Sequence, residues 1–128
     1  MTDYGFKDKV VLIAGGAKNL GGLLSREVGR EGAKVVVHYN SDASRADAED
    51  TVKAVQDLGG EAYMTQGDLT RPANVEALFQ EAKDKFGGID IAINTVGKVL
   101  RKPIMETSED EYDSMFDINA KSAYFFIK

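Results

Sequence analysis

The stretch Gly15-Gly16-Ala17-Lys18-Asn19-Leu20-Gly21-Gly22 holds the residues best suited to chemistry in this sequence. It follows a wholly apolar run, Val10–Ala14, and precedes a segment patterned as a helix from Leu20. A glycine-rich turn at such a junction leaves backbone N–H groups unpaired at the positive end of a helix dipole, where a phosphate binds. Glycine suits the turn because the chain bends sharply and the ligand approaches closely. Glycines also mark ordinary turns, so the position between strand and helix carries the reading.

Other reactive side chains are sparse. His38 is the only histidine, and its position inside an apolar run gives it a packing role. There are no cysteines, which excludes disulfides and thiolate metal centres, and one histidine cannot make a histidine-rich metal site. No metal is expected. Lys98, Arg101 and Lys102 form a small basic group in a loop and read as solvated charges. Tyr124 and Lys128 stand four apart, on one helix face.

The elements that must carry these residues alternate. Val10–Ala14, residues 35–39, Glu61–Gln66 and residues 89–94 read as short strands. Between them, apolar residues recur every three or four positions, predicting helices over residues 20–31, 44–58 and from Pro72 to Phe86. The first helix is expected to bury Leu20, Leu23, Leu24 and Val28 on one stripe, and Asp42 or Ser44 to cap the second. Residues 95–107 read as a loop. Ser108 with Glu111 is a capping box for a last helix running to Lys128. Strands apolar on both faces, joined by helices, imply a parallel α/β sheet with right-handed crossovers.

The 128 residues suit one domain, and 43% apolar content suffices for a core. Sixteen basic against 21 acidic residues give a net charge of −5. That balance excludes an electrostatic footprint for nucleic acid or anionic membrane. No run is apolar enough for a signal core or a membrane span, so a soluble, cytoplasmic protein is expected.

Four motifs carry a resemblance. Ala14-Gly15-Gly16-Ala17-Lys18-Asn19-Leu20-Gly21 is similar to the T-G-x-x-x-G-I-G loop of the short-chain dehydrogenase/reductase family. Gly67-Asp68-Leu69-Thr70 resembles that family's segment after strand three, whose aspartate touches adenine. Asn94-Thr95-Val96-Gly97 resembles its Asn-Asn-Ala-Gly, and Phe116-Asp117-Ile118-Asn119 the segment holding its catalytic asparagine. The motifs lie in order along the whole chain. The departures are Ala14 for threonine, Asn19 for the middle glycine, Thr95 for the second asparagine and Val96 for alanine. Asparagine is the non-glycine residue that best tolerates positive φ, so the turn is expected to form.

The resemblance implies a Rossmann-type three-layer α/β fold with a parallel sheet of order 3-2-1-4. It implies hydride exchange between a nicotinamide cofactor and a small-molecule carbonyl or alcohol substrate. The implied cofactor-binding residues are Gly15, Ala17, Lys18, Asn19, Leu20 and Gly21, then Tyr39, Asn40 and Ser41, then Asp68 and Leu69, then Asn94, Val96 and Gly97. Asn119 is the implied catalytic residue. NAD sites place a carboxylate at the end of strand two, for the ribose 2′-OH. Here His38-Tyr39-Asn40-Ser41 offers none before Asp42, while Lys18 and Arg45 supply positive charge. NADP(H) is therefore expected, with NAD(H) as the alternative.

The family places its Tyr-x-x-x-Lys pair and a serine beyond a fifth strand. Tyr124 and Lys128 follow Asn119 within one helix, so they are read as a coincidence of spacing. Residues 1–128 are thus expected to be the N-terminal part of a dinucleotide-binding domain, inactive alone, within a homo-oligomeric enzyme, a dimer or tetramer. The alternative is a non-catalytic dinucleotide-binding module. A signalling receiver of similar length is excluded because it needs an acidic pair after strand one.

Overall fold

The computed structural model describes residues 2–128. Four strands form one parallel sheet: β1 (Val10–Ala14), β2 (Lys34–Tyr39), β3 (Glu61–Gln66) and β4 (Ile91–Asn94). Their order is β3-β2-β1-β4. Val11 pairs with Val35 on one side and with Ile91 on the other, so β1 is central. Every residue of β1 is buried because helices cover both faces of the sheet.

Alternation along the strands divides the core in two. Val11, Ile13, Val35 and Val37 pack with Val28 of α1 (Asn19–Arg30) and with Ala48 and Val55 of α2 (Arg45–Asp57). On the opposite face Val10, Leu12, Ala14 and Val36 meet Val75, Leu78 and Ala82 of α3 (Pro72–Phe86). Phe126 of α5 (Ser122–Ile127) completes that layer, packed edge-on to Phe79 with the ring centroids 5.2 Å apart. This is the three-layer arrangement and strand order that the family resemblance implies.

The first helix differs from expectation. Leu20 and Leu23 are 62% and 56% exposed, whereas Gly21, Gly22, Ser25, Val28 and Gly29 form the buried face. Small residues let α1 lie close to Ala17 and Val55, and leucines would not fit there. A short 3₁₀ turn, Asp42–Ser44, precedes α2, and neither of the two expected caps makes a side-chain capping bond at the helix start. Strand β4 begins at Ile91, two residues later than expected. Just before it, Asp90 accepts from the Val10 N–H at 2.8 Å and fixes the start of the β1–β4 ladder.

The capping box forms as predicted. The Glu111 N–H donates to Ser108 Oγ at 3.1 Å, and the Ser108 N–H donates to Glu111 Oε1 at 3.1 Å. It opens α4 (Glu109–Phe116). The expected single helix is interrupted by a π-helical stretch, Asp117–Lys121, before α5. A π turn shifts the facing of the residues it contains, and here it contains Asn119. Among the described residues, no helix is long and apolar enough to cross a membrane.

Candidate dinucleotide-binding site

The four strands point their C-terminal ends into a cleft of about 670 Å³. That is where parallel α/β sheets bind ligands, because the strand order reverses between β1 and its two neighbours. Gly15, Ala17, Lys18, Asn19, Leu20 and Gly21 form one wall. Tyr39 and Asn40 come from the end of β2, Asp68 and Leu69 from the turn after β3, and Val96 and Gly97 from the loop after β4. Twelve of the expected residues are therefore brought together.

The glycine turn is left-handed at both places where the bend demands it, with φ +74° at Gly15 and +54° at Asn19. A methyl on Gly21 would meet the Gly15 carbonyl oxygen at 2.0 Å, so the helix start fits against the turn only without a side chain. Buried hydroxyls hold the loop from behind. Ser25 Oγ lies 3.0 Å from the Gly16 carbonyl and 2.9 Å from that of Gly21. Thr51 Oγ1 donates to the Ala17 carbonyl at 2.7 Å. The first turn of α1 carries no acidic residue, so nothing there repels an anion.

Two departures from the family pattern meet in space. Thr95 Oγ1 donates to the Ala14 carbonyl at 2.8 Å and lies 3.2 Å from that of Gly15. The hydroxyl that position 14 lacks is thus present across the turn, where it ties the loop after β4 to the glycine loop.

Three expected residues do not line the cleft. Ser41 stands before the 3₁₀ turn, where its carbonyl accepts from the Ser44 N–H at 2.9 Å, and it is Ser44 that lines the cleft. Asn94 Oδ1 accepts from the Val96 N–H at 2.9 Å and shapes the loop from below. Asn119 clasps one residue of the backbone: its Oδ1 accepts from the Lys98 N–H and its Nδ2 donates to the Lys98 carbonyl, each at 2.9 Å. In this arrangement the Asn119 side chain holds the loop after β4, and the cleft wall beside it is made by Asp117, Ile118 and Ser122.

The remaining candidates are placed as follows. Asp68 Oδ1 accepts from the Thr70 hydroxyl at 2.7 Å and the Thr70 N–H at 3.0 Å. The Thr70 hydroxyl, more than any other neighbour, lowers its pKa. Arg45 pairs with Glu49 at 3.4 Å on an exposed helix face, whereas Lys18 lines the cleft. Lys102 binds Glu111 at 2.8 Å, and this bond, with those from Ser108, holds that carboxyl down to about 2. Tyr124 is 68% exposed and Lys128 Nζ lies over Phe125, 5.8 Å from the ring centroid, so the two do not form a working pair.

The sequence reading missed the α4 wall, where Asp110, Asp113 and Ser114 border the cleft. It gave His38 a packing role. The ring is buried, but both of its nitrogens are bonded: Nδ1 to the Gly15 N–H at 3.0 Å and Nε2 to the Gly67 carbonyl at 2.7 Å. The signal was an imidazole set directly after three valines in a buried strand.

A parallel doubly covered sheet, a glycine turn at its switch point and a cleft over its C-terminal edge define a Rossmann-type α/β fold. Comparison with known proteins goes further. The family model for short chain dehydrogenases matches residues 9–128, and the chain belongs to that family. A protein from Burkholderia cenocepacia, described as a dehydrogenase and solved with bound NADP, is 60% identical over 99% of this chain, with a TM-score of 0.94. The 3beta-hydroxysteroid dehydrogenase 1 of Eggerthella lenta is 36% identical over 92% of the chain. An NADH-dependent reductase solved with NAD is 27% identical over 94% of it, with a TM-score of 0.87. The chain spans 48%, 44% and 50% of the lengths of these three proteins.

Proposed function

We propose that this chain is the cofactor-binding N-terminal part of an oxidoreductase that uses NADP(H) in preference to NAD(H), with a small carbonyl compound or alcohol as substrate. The observation that carries the proposal is the polar make-up of the cleft between the glycine turn and the end of β2. Backbone N–H groups at the start of α1 face a space bordered by Lys18, Asn40 and Ser44, with no carboxylate at the end of β2. A 2′-phosphate needs such donors and is repelled by the acidic residue that an NAD site carries. The 60% identical protein solved with NADP supports the same choice.

The bound nicotinamide would supply the hydride. The residues of this chain bind and orient. Gly15 and Gly21 admit the pyrophosphate close to the backbone, and Thr51, Ser25 and Thr95 keep that backbone in place. Val96 and Gly97 form the floor on the nicotinamide side, and Asn119 fixes that floor through Lys98. The alternative of a non-catalytic module is not favoured, because the relatives named above are dehydrogenases and reductases. A cytoplasmic homo-oligomer is part of the same proposal. The exposed Tyr112, Phe116 and Tyr124 on α4 and α5 support the oligomer.

Titration calorimetry with NADP⁺ and NAD⁺ tests the cofactor. Tighter binding of NADP⁺, with that preference reduced at least tenfold in a Lys18→Glu variant, is expected. Equal affinity for the two nucleotides, or a preference for NAD⁺, would overturn the reading.

A further inference from the structure

His38 is the only histidine of the chain and is 2% exposed. It lies one residue from the end of β2, between β1 and β3. Its two ring partners are backbone groups with fixed roles. The Gly15 N–H only donates, so Nδ1 at 3.0 Å must carry a lone pair. The Gly67 carbonyl only accepts, so Nε2 at 2.7 Å must carry the proton. The environment therefore dictates one neutral tautomer. Neither the opposite tautomer nor the charged ring can satisfy both neighbours.

Each neighbour belongs to a turn that builds the cleft. Gly15 opens the glycine loop, and Gly67 leads directly into Asp68 and Leu69. The backbone reinforces both links: the Gly16 N–H donates to the His38 carbonyl at 2.9 Å, and the Gly67 N–H donates to the Tyr39 carbonyl at 3.0 Å. Residues 38 and 39 thus hold two turns on either side of β2. We propose that His38 is a positioning residue for the nucleotide cleft, its single Nε2–H imidazole fixing the glycine loop relative to the turn after β3.

The inference rests on the reading of the cleft as a dinucleotide site. It adds that the spacing of two cleft walls is set by one ring and not by sheet pairing alone. The choice of side chain follows from chemistry. The bridge needs a neutral acceptor and a neutral donor held rigidly apart on one ring. Lysine and arginine lack the acceptor, serine and threonine are too short, and the amide of asparagine or glutamine carries both groups but at a different reach and angle from those of the ring nitrogens.

Two measurements test this. The first uses ¹⁵N-histidine labelling of the chain, where one histidine gives one pair of ring signals. Long-range proton–nitrogen correlation at pH 7.5 is expected to show Nε2 protonated and Nδ1 bare. A protonated Nδ1, or a mixture of tautomers, would overturn the proposal whether or not any nucleotide binds. The second compares NADP⁺ binding by His38→Leu, His38→Asn and His38→Gln, with the folded fraction checked by urea titration. His38→Leu is expected to bind about tenfold more weakly, having lost both arms of the bridge. The Asn and Gln variants keep a neutral donor and acceptor without the ring's reach and are expected to fall between it and the unmodified protein. Unchanged binding by a folded His38→Leu, or by both Asn and Gln variants where the Leu variant does not fold, would overturn it. Failure of the unmodified chain to bind NADP⁺ or NAD⁺ would sink the dinucleotide reading, leaving the tautomer to judge the bridge.

Discussion

Gly21→Ala is the most incisive change this structure offers. The new methyl would lie 2.0 Å from the Gly15 carbonyl oxygen, 2.7 Å from its carbon and 2.7 Å from Thr95 Oγ1. Carbon and oxygen atoms rest at well over 3 Å, so the helix start and the turn must separate by about 1 Å or more. No rotamer relieves the clash, because the nearest atoms are backbone. Nor is the turn free to move: the Gly15 N–H is bonded to His38, and Thr95 reaches the Ala14 carbonyl. Overpacking of this kind costs about 1–3 kcal/mol. Alanine in place of glycine within a helix returns up to about 1 kcal/mol, so a net loss of about 1–2 kcal/mol is expected. Displacing the turn by that distance should also weaken NADP⁺ binding at least tenfold, about 1.4 kcal/mol. Urea unfolding reads the first effect and titration calorimetry the second. Gly88→Ala is the control: its methyl meets nothing within 4 Å and its φ is not positive, so a change within about 0.5 kcal/mol is expected. A Gly21→Ala protein with the stability and affinity of the unmodified chain would refute the close packing on which the site has been built.

Three further predictions concern the supports of the cleft. Burial lowers the pKa of His38 below its usual 6.5, more than the Gly67 bond raises it. Above pH 6.5 the ring is neutral folded or unfolded; below it the unfolded chain takes up a proton that the fold refuses. Stability should therefore fall between pH 6.5 and the lowered value by up to about 1.4 kcal/mol per pH unit from this group, and urea titrations of His38→Asn should lack that component. Thr95→Val keeps the shape but loses the bond to Ala14, and should lower stability by about 1 kcal/mol in urea; no loss would mean that the hydroxyl does not tie the two loops together. Ser108→Ala removes the capping box of α4 and should cost about 1 kcal/mol, with faster hydrogen exchange at Glu111 than in the unmodified chain.

The sheet was legible because its signals are local and repeated. Apolar runs such as Val10–Ala14 can be buried on both sides only in a covered parallel sheet, and each helix is bounded by a turn, a cap or a glycine pair. The glycine loop was legible for the same reason. What escaped was information held between elements. The periodicity of α1 pointed to Leu20 and Leu23, but the buried face is set by how closely the helix approaches Val55, and a helical wheel does not contain that distance. Asn94 and Asn119 matched the motif by residue type, yet their side chains brace the loop after β4 from outside the cleft. For His38 a sequence shows that a histidine is inside, which reads as packing, and does not show which backbone groups await its nitrogens. The π-helical stretch at Asp117–Lys121 has no simple sequence signal, and with it the wall from Asp110 to Ser122 was missed.

The order β3-β2-β1-β4 also has a kinetic consequence. The link from Gly15 to His38 closes a loop of 23 residues, whereas that from Gly15 to Thr95 spans 80. Closing the longer loop costs about 1 kcal/mol more in chain entropy. The two sides of the cleft therefore form on different terms during folding. The β1–α1–β2 unit can gather from near neighbours, and the glycine loop with it. The side built on the loop after β4 must wait for that strand to return across the intervening helices. Mutations at the Thr95 contact should then raise the unfolding rate, and those within the first unit should slow refolding.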